Sequence, residues 1–407
     1  MKITIIGAGI GGLTLALALR ERGVEAELFE QAPALTEIGA AVALSANATR
    51  ELERLGLLPG IEAVSTEPSE LIFRDGRSGV RIASHPVRQG GRYRERFGAP
   101  YFGVHRADLQ RVLSGAAGEA GLHLNHRLVS MEPDGGRMRL VFANGRVETP
   151  DLVVGADGVR SVVRRYVTGG AGTRYSGTSA FRGIVPVSAL PSLPDPQAIQ
   201  FWVGPGAHLL HYAIGGLGED VNFFAVVEGP DAWPDAGRWT ADTVPGEAVG
   251  AFAGWHGAVT EMIAASTFAA RWGLFVVPPL QQWHRGPAVL LGDAAHAMLP
   301  HHGQGANTTI EDAVTLATLL PGSPGELEAA LGRYARLRRL RTRTIQHSSW
   351  VTNHALHEAD GPGLVRRNGR MSAFAEDFGW IHQFDARQAA RQAARQAGSP
   401  QGVLQVA

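Results

Sequence analysis

Residues 3–23 read ITIIGAGIGGLTLALALRERG, and their reading decides the fold. Ile3, Ile5 and Ile6 predict a short buried strand, Gly7 to Gly12 a turn, and Leu13 to Arg22 a helix apolar on most faces and therefore internal. Gly7, Gly9 and Gly12 stand at G-x-G-x-x-G spacing. The first permits the tight turn, the second lets a pyrophosphate approach the backbone, and the third allows helix and strand to pack closely. The helix N-terminus favours the anion. A second strand, Ala26 to Phe29, closes a βαβ unit, and Glu30 ends it in position to accept hydrogen bonds from a ribose. A bound dinucleotide is expected; the glycines do not say which.

The chain has 407 residues, long for one core, so two folding units are expected. Its 38 basic residues balance 38 acidic ones, which argues against a nucleic-acid partner and against a polybasic membrane anchor. Cysteine is absent, excluding thiolate nucleophiles, disulfides and Cys-ligated zinc or iron–sulfur clusters. Redox chemistry would need a cofactor. No run of 18 apolar residues predicts a membrane-spanning helix, and the glycine spacing argues against a signal peptide at the N-terminus. A cytoplasmic protein acting on a small molecule is the expectation.

Two distant stretches bear on the same ligand. MRLVFANGRVETPDLVVGADG (138–158) predicts a hairpin with a type I′ turn at Asn144-Gly145, then a strand, Leu152 to Val154, that delivers Asp157 at its carboxyl end. LLGDAAHAMLPHHGQGANTTIEDA (290–313) predicts a strand ending at Asp293, a loop, and a helix with Ile310, Ala313, Val314 and Ala317 at helical spacing. A simple nicotinamide dehydrogenase needs neither; a longer cofactor does. Asp293 suits a ribityl chain, and the segment from His301 to Asn307 would present backbone N–H groups to a flavin ring.

Between about 177 and 272 the runs AIQFWVG, HLLHYAI and VNFFAVV alternate, as in an antiparallel sheet on the substrate side. LGRYARLRRLRTRTIQ (331–346) predicts a surface helix with solvated charges, and ARQAARQAARQAGSPQGVLQVA (386–407) a frayed helix passing into a flexible tail. Adjacent His301 and His302 lack further ligands at metal-binding spacing, so no metal is expected.

GAGIGG, GADGVRS (155–161) and GDAAHAMLPHHGQGAN (292–307), in that order, resemble the motifs of the FAD-dependent aromatic hydroxylases, the single-component monooxygenases that include p-hydroxybenzoate and salicylate hydroxylases. The resemblance covers nearly the whole chain and is nearest to the branch acting on salicylate, hydroxybenzoates and hydroxynicotinate. It implies an α/β fold with an FAD-binding, Rossmann-like domain of glutathione-reductase type, an inserted antiparallel-sheet substrate domain, and C-terminal helices. The expected division is 1–72, 100–176 and 273–345 for FAD, 73–99 and 177–272 for substrate, 346–385 helical, and 386–407 flexible.

The resemblance further implies non-covalent FAD, transient NADH or NADPH, and O₂. Transfer of oxygen from a flavin C4a-hydroperoxide to a phenolic or hydroxylated heteroaromatic ring is its chemistry. VHRADLQRVL (104–113) marks Arg106 as an FAD contact, alongside Gly7, Gly9, Gly12, Glu30, Asp157, Asp293, Gly303, Gly305, Ala306 and Asn307. Gln31 departs from the basic residue of many relatives. A phenol titrates near pH 10, so a histidine base is useful. His211 is the first candidate, His301 its partner, and His302 is expected to be exposed. Trp202, Tyr212, Phe224 and Pro300 are candidate substrate-lining residues. Arg182 in AFRGIVP reads as a surface ion-pair residue, and no arginine is assigned to a substrate carboxylate. A monomer or homodimer is expected. Same-fold alternatives are an FAD epoxidase or oxidase of a non-aromatic compound and a non-catalytic flavin-binding protein.

Overall fold

Ile3–Ile6 lies inside a six-stranded sheet, between Leu152–Gly155 and Glu27–Phe29 and parallel to both. Ala288–Leu290 continues the sheet beyond Leu152–Gly155, with His284–Arg285 antiparallel at that edge, and Leu122–His123 closes the other. The computed structural model describes residues 1–35, 41–234, 238–268, 270–358 and 361–397. All four residues of Ile3–Ile6 are buried, and its three isoleucines share one core with Leu13, Leu15 and Leu19 of the helix Ile10–Arg20. The chain passes from this strand to its neighbour on one side and returns much later on the other. That reversal opens a crevice at the carboxyl ends of the strands, where ligands of such sheets sit.

Met138, Leu140 and Phe142 of a small antiparallel sheet, Leu128–Asp134, Arg137–Phe142 and Val147–Glu148, join the same core. Its hairpin differs from expectation in the turn. Gly145 has φ of 85°, but Asn144 is not left-handed, and the Gly145 N–H bonds the Phe142 carbonyl. Type I′ would require positive φ at both positions.

The second large sheet has eight strands, in the order Thr240–Ala241, Arg271–Val276, Arg174–Pro186, Asp220–Glu228, Ala207–Ile214, Ile199–Gly204, Glu70–Asp75 and Arg81–Pro86. All neighbours are antiparallel except Ile199–Gly204 with Glu70–Asp75. One face packs Phe181, Phe223, Trp202 and Leu209 against Phe252 and the helix Gly257–Ala264, which carries Val259 and Met262. Even-numbered residues of Ala207–Ile214 point the other way, by the two-residue period of a strand.

Two C-terminal expectations are corrected. The basic segment belongs to a helix, Leu327–Leu356, that runs through the expected boundary at 345, and not all its charges are solvated. Arg338 is fully buried on Asp312 and Glu311, and Arg341 is buried on Glu311, because the helix Gln304–Leu319 presents both acids inward. Within the tail, Ala386–Ala397 forms a helix whose Ala386 and Ala390 are fully buried, so it packs rather than frays. Residues 398–407 lie outside the described residues. No helix among the described residues is long and apolar enough to cross a membrane.

Candidate cofactor and substrate site

A cavity of about 740 Å³ runs from the glycine turn to the cavity-facing side of the eight-stranded sheet. At one end stand Gly7, Gly9, Glu30 and Gln31; along it Arg106, Asp157, Asp293, Gly303, Gly305 and Ala306; at the other end Arg182, Leu210, Tyr212, Asn222, Phe224 and Pro300. A long, two-ended ligand matches this shape.

The glycine turn has its form for steric reasons. Gly7 has φ of 103°, and a Cβ there would lie 2.4 Å from the Ala156 carbonyl oxygen. A Cβ on Gly12 would lie 1.9 Å from the Gly7 carbonyl oxygen, so only glycine lets the helix start against the strand. Gly12 therefore packs the turn and does not line the cavity. Gly9 caps Ile10–Arg20, leaving the first N–H groups of the helix at the cavity wall.

Glu30 accepts the Ala8 N–H at 2.8 Å through one carboxylate oxygen and the Ala32 N–H at 2.9 Å through the other. Each oxygen keeps a lone pair for a further donor. Asp157 also lines the cavity, but its carboxylate accepts from the Ser161 hydroxyl at 2.5 Å and the N–H groups of Val162 and Val163. Burial raises its pKa, against the lowering effect of those donors. Its direct role is to cap the helix Val162–Thr168 and hold the turn.

Gly292, at φ of 64°, precedes Asp293, and its N–H bonds Asp312 at 2.9 Å. Asp312 also meets His296 and Arg338, each at 2.5 Å. Burial alone would raise this carboxyl; the contacts with His296 and the Arg338 guanidinium outweigh it and hold it below the usual range. Beyond the loop, Gly303 caps Gln304–Leu319 at φ of 63°, and Gly305 and Ala306 bring the start of that helix to the cavity. Asn307 does not line it. Its amide bonds the Ala43 and Gly303 carbonyls and accepts the Ser45 N–H, tying the strand Ala41–Leu44 to the helix.

The structure does not bring the histidine candidates to this cavity. Leu210 and Tyr212 face it, so His211 between them points into the opposite core, stacked with Trp202 at 6.4 Å. Both His211 ring nitrogens lack hydrogen-bond partners, and burial, helped by the charge of Arg74, pushes its pKa down to about 3. A neutral imidazole facing away cannot serve as the expected base. Trp202 is fully buried on that same wrong face.

His301 turns from the cavity to pack edge-on against His208, 5.1 Å away, and burial lowers its pKa well below the ordinary value. His302 is not exposed: it is 8% accessible, with its Nε2 2.9 Å from the Ser348 hydroxyl. Pro300, Tyr212 and Phe224 do line the cavity. Burial keeps the Tyr212 phenol protonated far above its ordinary pKa.

Arg182 was missed as a site residue. It pairs across the ladder with Phe224, and its guanidinium lies over the Phe224 and Trp272 rings at 4.8 Å from each centroid. The signal was available in AFRGIVP: a buried Phe181 places residue 182 on the other face. No group of three His, Cys, Asp or Glu among the described residues is arranged to hold a metal.

Comparison with known proteins agrees with this geometry. Residues 1–323 match the family described as FAD binding domain. The chain is 38% identical over 373 residues to a 3-amino-4-hydroxybenzoate 2-monooxygenase of Streptomyces cremeus, covering 92% of each protein. It superposes on a salicylate hydroxylase substrate complex with a TM-score of 0.83 and 26% identity, covering 97% of this chain and 98% of the other. Klebsiella pneumoniae HpxO complexed with FAD and uric acid superposes with a TM-score of 0.80 and 26% identity, covering 99% and 98%.

Proposed function

The chain belongs to the family of FAD-dependent aromatic monooxygenases, and from that premise we propose that it hydroxylates a phenolic or hydroxylated heteroaromatic substrate, using O₂ and transient NADH or NADPH. The carrying observation is the continuous cavity that joins a dinucleotide turn to an aromatic-lined sheet face. When bound, FAD supplies the redox chemistry: electrons pass from the nicotinamide to O₂, one oxygen atom goes to the ring and the other leaves as water.

The residues divide the work along the cavity. Gly7, Gly9 and the helix start would receive the pyrophosphate, Glu30 the ribose, and Asp293 the ribityl hydroxyls. Gly305 and Ala306 would offer N–H groups to the flavin ring, with Arg106 beside the cofactor. Leu210, Tyr212, Phe224 and Pro300 would hold the substrate ring and keep water away. No imidazole among the described residues lines that end. The positive charge of Arg182 favours an electron-rich or anionic substrate there.

On this reading the segments 1–72, 100–176 and 273–345 serve the cofactor and 73–99 with 177–272 the substrate. The enzyme acts in the cytoplasm, as a monomer or homodimer. The test is a panel of phenols and hydroxylated heteroaromatics screened for stimulated NAD(P)H oxidation, with ¹⁸O₂ and product identification. Label in a new ring hydroxyl is the expected result. Label in an epoxide would move the activity to a non-aromatic substrate, and an absence of nicotinamide oxidation would leave a flavin-binding protein.

A further inference from the structure

A second cavity, of about 220 Å³, lies between residues 279–283 and the helix Leu327–Leu356 and shares no lining residue with the cofactor cavity. Arg336, Arg339 and Arg343 of that helix line it, and no acid does. Arg339 donates to the Gln281 side-chain oxygen at 3.2 Å, and none of the three forms an ion pair among the described residues. The His296 ring, 1% accessible and stacked on Trp283 at 5.4 Å, is part of the wall. Its Nε2 donates to Asp312 at 2.5 Å, and its Nδ1 is buried without a hydrogen-bond partner. Behind the ring, Asp312 and Glu311 are matched by Arg338 and Arg341, two acids against two guanidinium groups, so the imidazole needs no charge to hold its place. In a neutral ring whose Nε2 carries the proton, Nδ1 is an acceptor, and leaving a buried acceptor unpaired is costly.

A ligand that answers both parts of this wall offers oxygen atoms to the guanidinium groups and a hydroxyl to the imidazole. Hydrogen phosphate does so, because at neutral pH it keeps a P–OH to donate and has further oxygens left to accept. Sulfate has acceptors only. The volume suits a small oxyanion rather than a dinucleotide. Arg336, Arg343 and Leu340, the last 72% accessible, stand at the rim. Exposed side chains change rotamer within nanoseconds, so the rim admits a ligand to the buried ring. We propose that this cavity is a binding site for inorganic hydrogen phosphate, held by Arg336, Arg339 and Arg343 and recognised through Nδ1 of His296. The assignment does not depend on the hydroxylase reading.

The experiment is calorimetric titration of the FAD-loaded enzyme with phosphate and, separately, with sulfate, near neutral pH and at constant ionic strength. Bound FAD fills the pyrophosphate turn, so that cavity does not compete for the anion. Saturable binding of one phosphate per chain is expected, with sulfate weaker by about 10-fold or more, since its oxygens would face an unpaired acceptor. Arg339→Gln and Arg343→Gln should each weaken phosphate binding about 10-fold and leave FAD content unchanged. His296→Phe should remove the preference for phosphate over sulfate; the two arginine variants, changed on the outer side of the helix, keep the test decisive if that variant does not fold. Absence of saturable phosphate binding overturns the assignment, as does equal affinity for sulfate in the parent. Undiminished affinity in both arginine variants also overturns it, and so does a loss that follows FAD content, which would place the anion in the cofactor cavity.

Discussion

Asp312 accepts the backbone N–H of Gly292 at 2.9 Å, so a fully buried carboxylate on one helix fixes the turn that carries Asp293. The same carboxylate holds His296 and Arg338, and the turn, the short helix after it and the long basic helix are anchored on one group.

Asp312→Asn should therefore be costly. Among the described residues it leaves the buried Arg338 with only Glu311 as acidic partner, a change of the kind that destabilises by about 3–5 kcal/mol. Denaturant melts of apoprotein and FAD titration are the measurements. A fall in stability together with a fall in FAD affinity is expected. Unchanged FAD affinity in the folded variant would show that the turn does not need this clamp.

Gly12→Ala and Glu30→Ala should separate packing from binding. The methyl group added at position 12 would collide with the Gly7 carbonyl, and such overpacking costs about 1–3 kcal/mol or more in apoprotein. Glu30→Ala removes a charged acceptor from the cavity and should weaken FAD binding by roughly 10- to 100-fold. Its effect on apoprotein melting should be smaller than that of Gly12→Ala. The reverse ranking in either assay would disprove the division.

His211→Gln should leave hydroxylation coupled, because the ring faces the sheet core rather than the cavity. Product formed per nicotinamide oxidised is the readout. A fall of about 100-fold in the hydroxylation step, the least expected from losing a general base, would restore His211 to the site.

Acid sensitivity should begin well above the carboxylate range. Burial lowers the pKa of His211 and His382 to about 3 and of His302 and His357 to about 4, all below the unfolded value of about 6.5. As pH falls below that unfolded value, the unfolded chain takes up protons that the native protein does not, so stability falls. The loss continues until the folded pKa is passed, and above the unfolded pKa these groups contribute no slope. Each contributes up to about 1.4 kcal/mol per pH unit. Urea melts of apoprotein between pH 7.5 and 5 should show this decline, and His211→Phe should reduce its slope by one proton. A flat profile across that range would mean that the imidazoles are accessible to protons in the folded state.

The sequence by itself determined the βαβ unit, its dinucleotide turn and the order of three cofactor segments. These are local properties: glycine spacing sets which backbone shapes are sterically open, as the contacts at Gly7 and Gly12 demonstrate. Alternation in HLLHYAI also revealed a strand, and it required His211 and Tyr212 to face opposite sides. Which side was the cavity depended on the pairing of that strand with Asp220–Glu228 and on what covered each face of the sheet. Only the tertiary structure decided it, and with it the loss of His211 and Trp202 from the site and the gain of Arg182. The same holds for the basic helix: Arg338 and Arg341 look like their solvated neighbours in sequence, and become buried because Glu311 and Asp312 meet them from another helix. Burial of a charge depends on a partner supplied across space, and no local pattern encodes that partner.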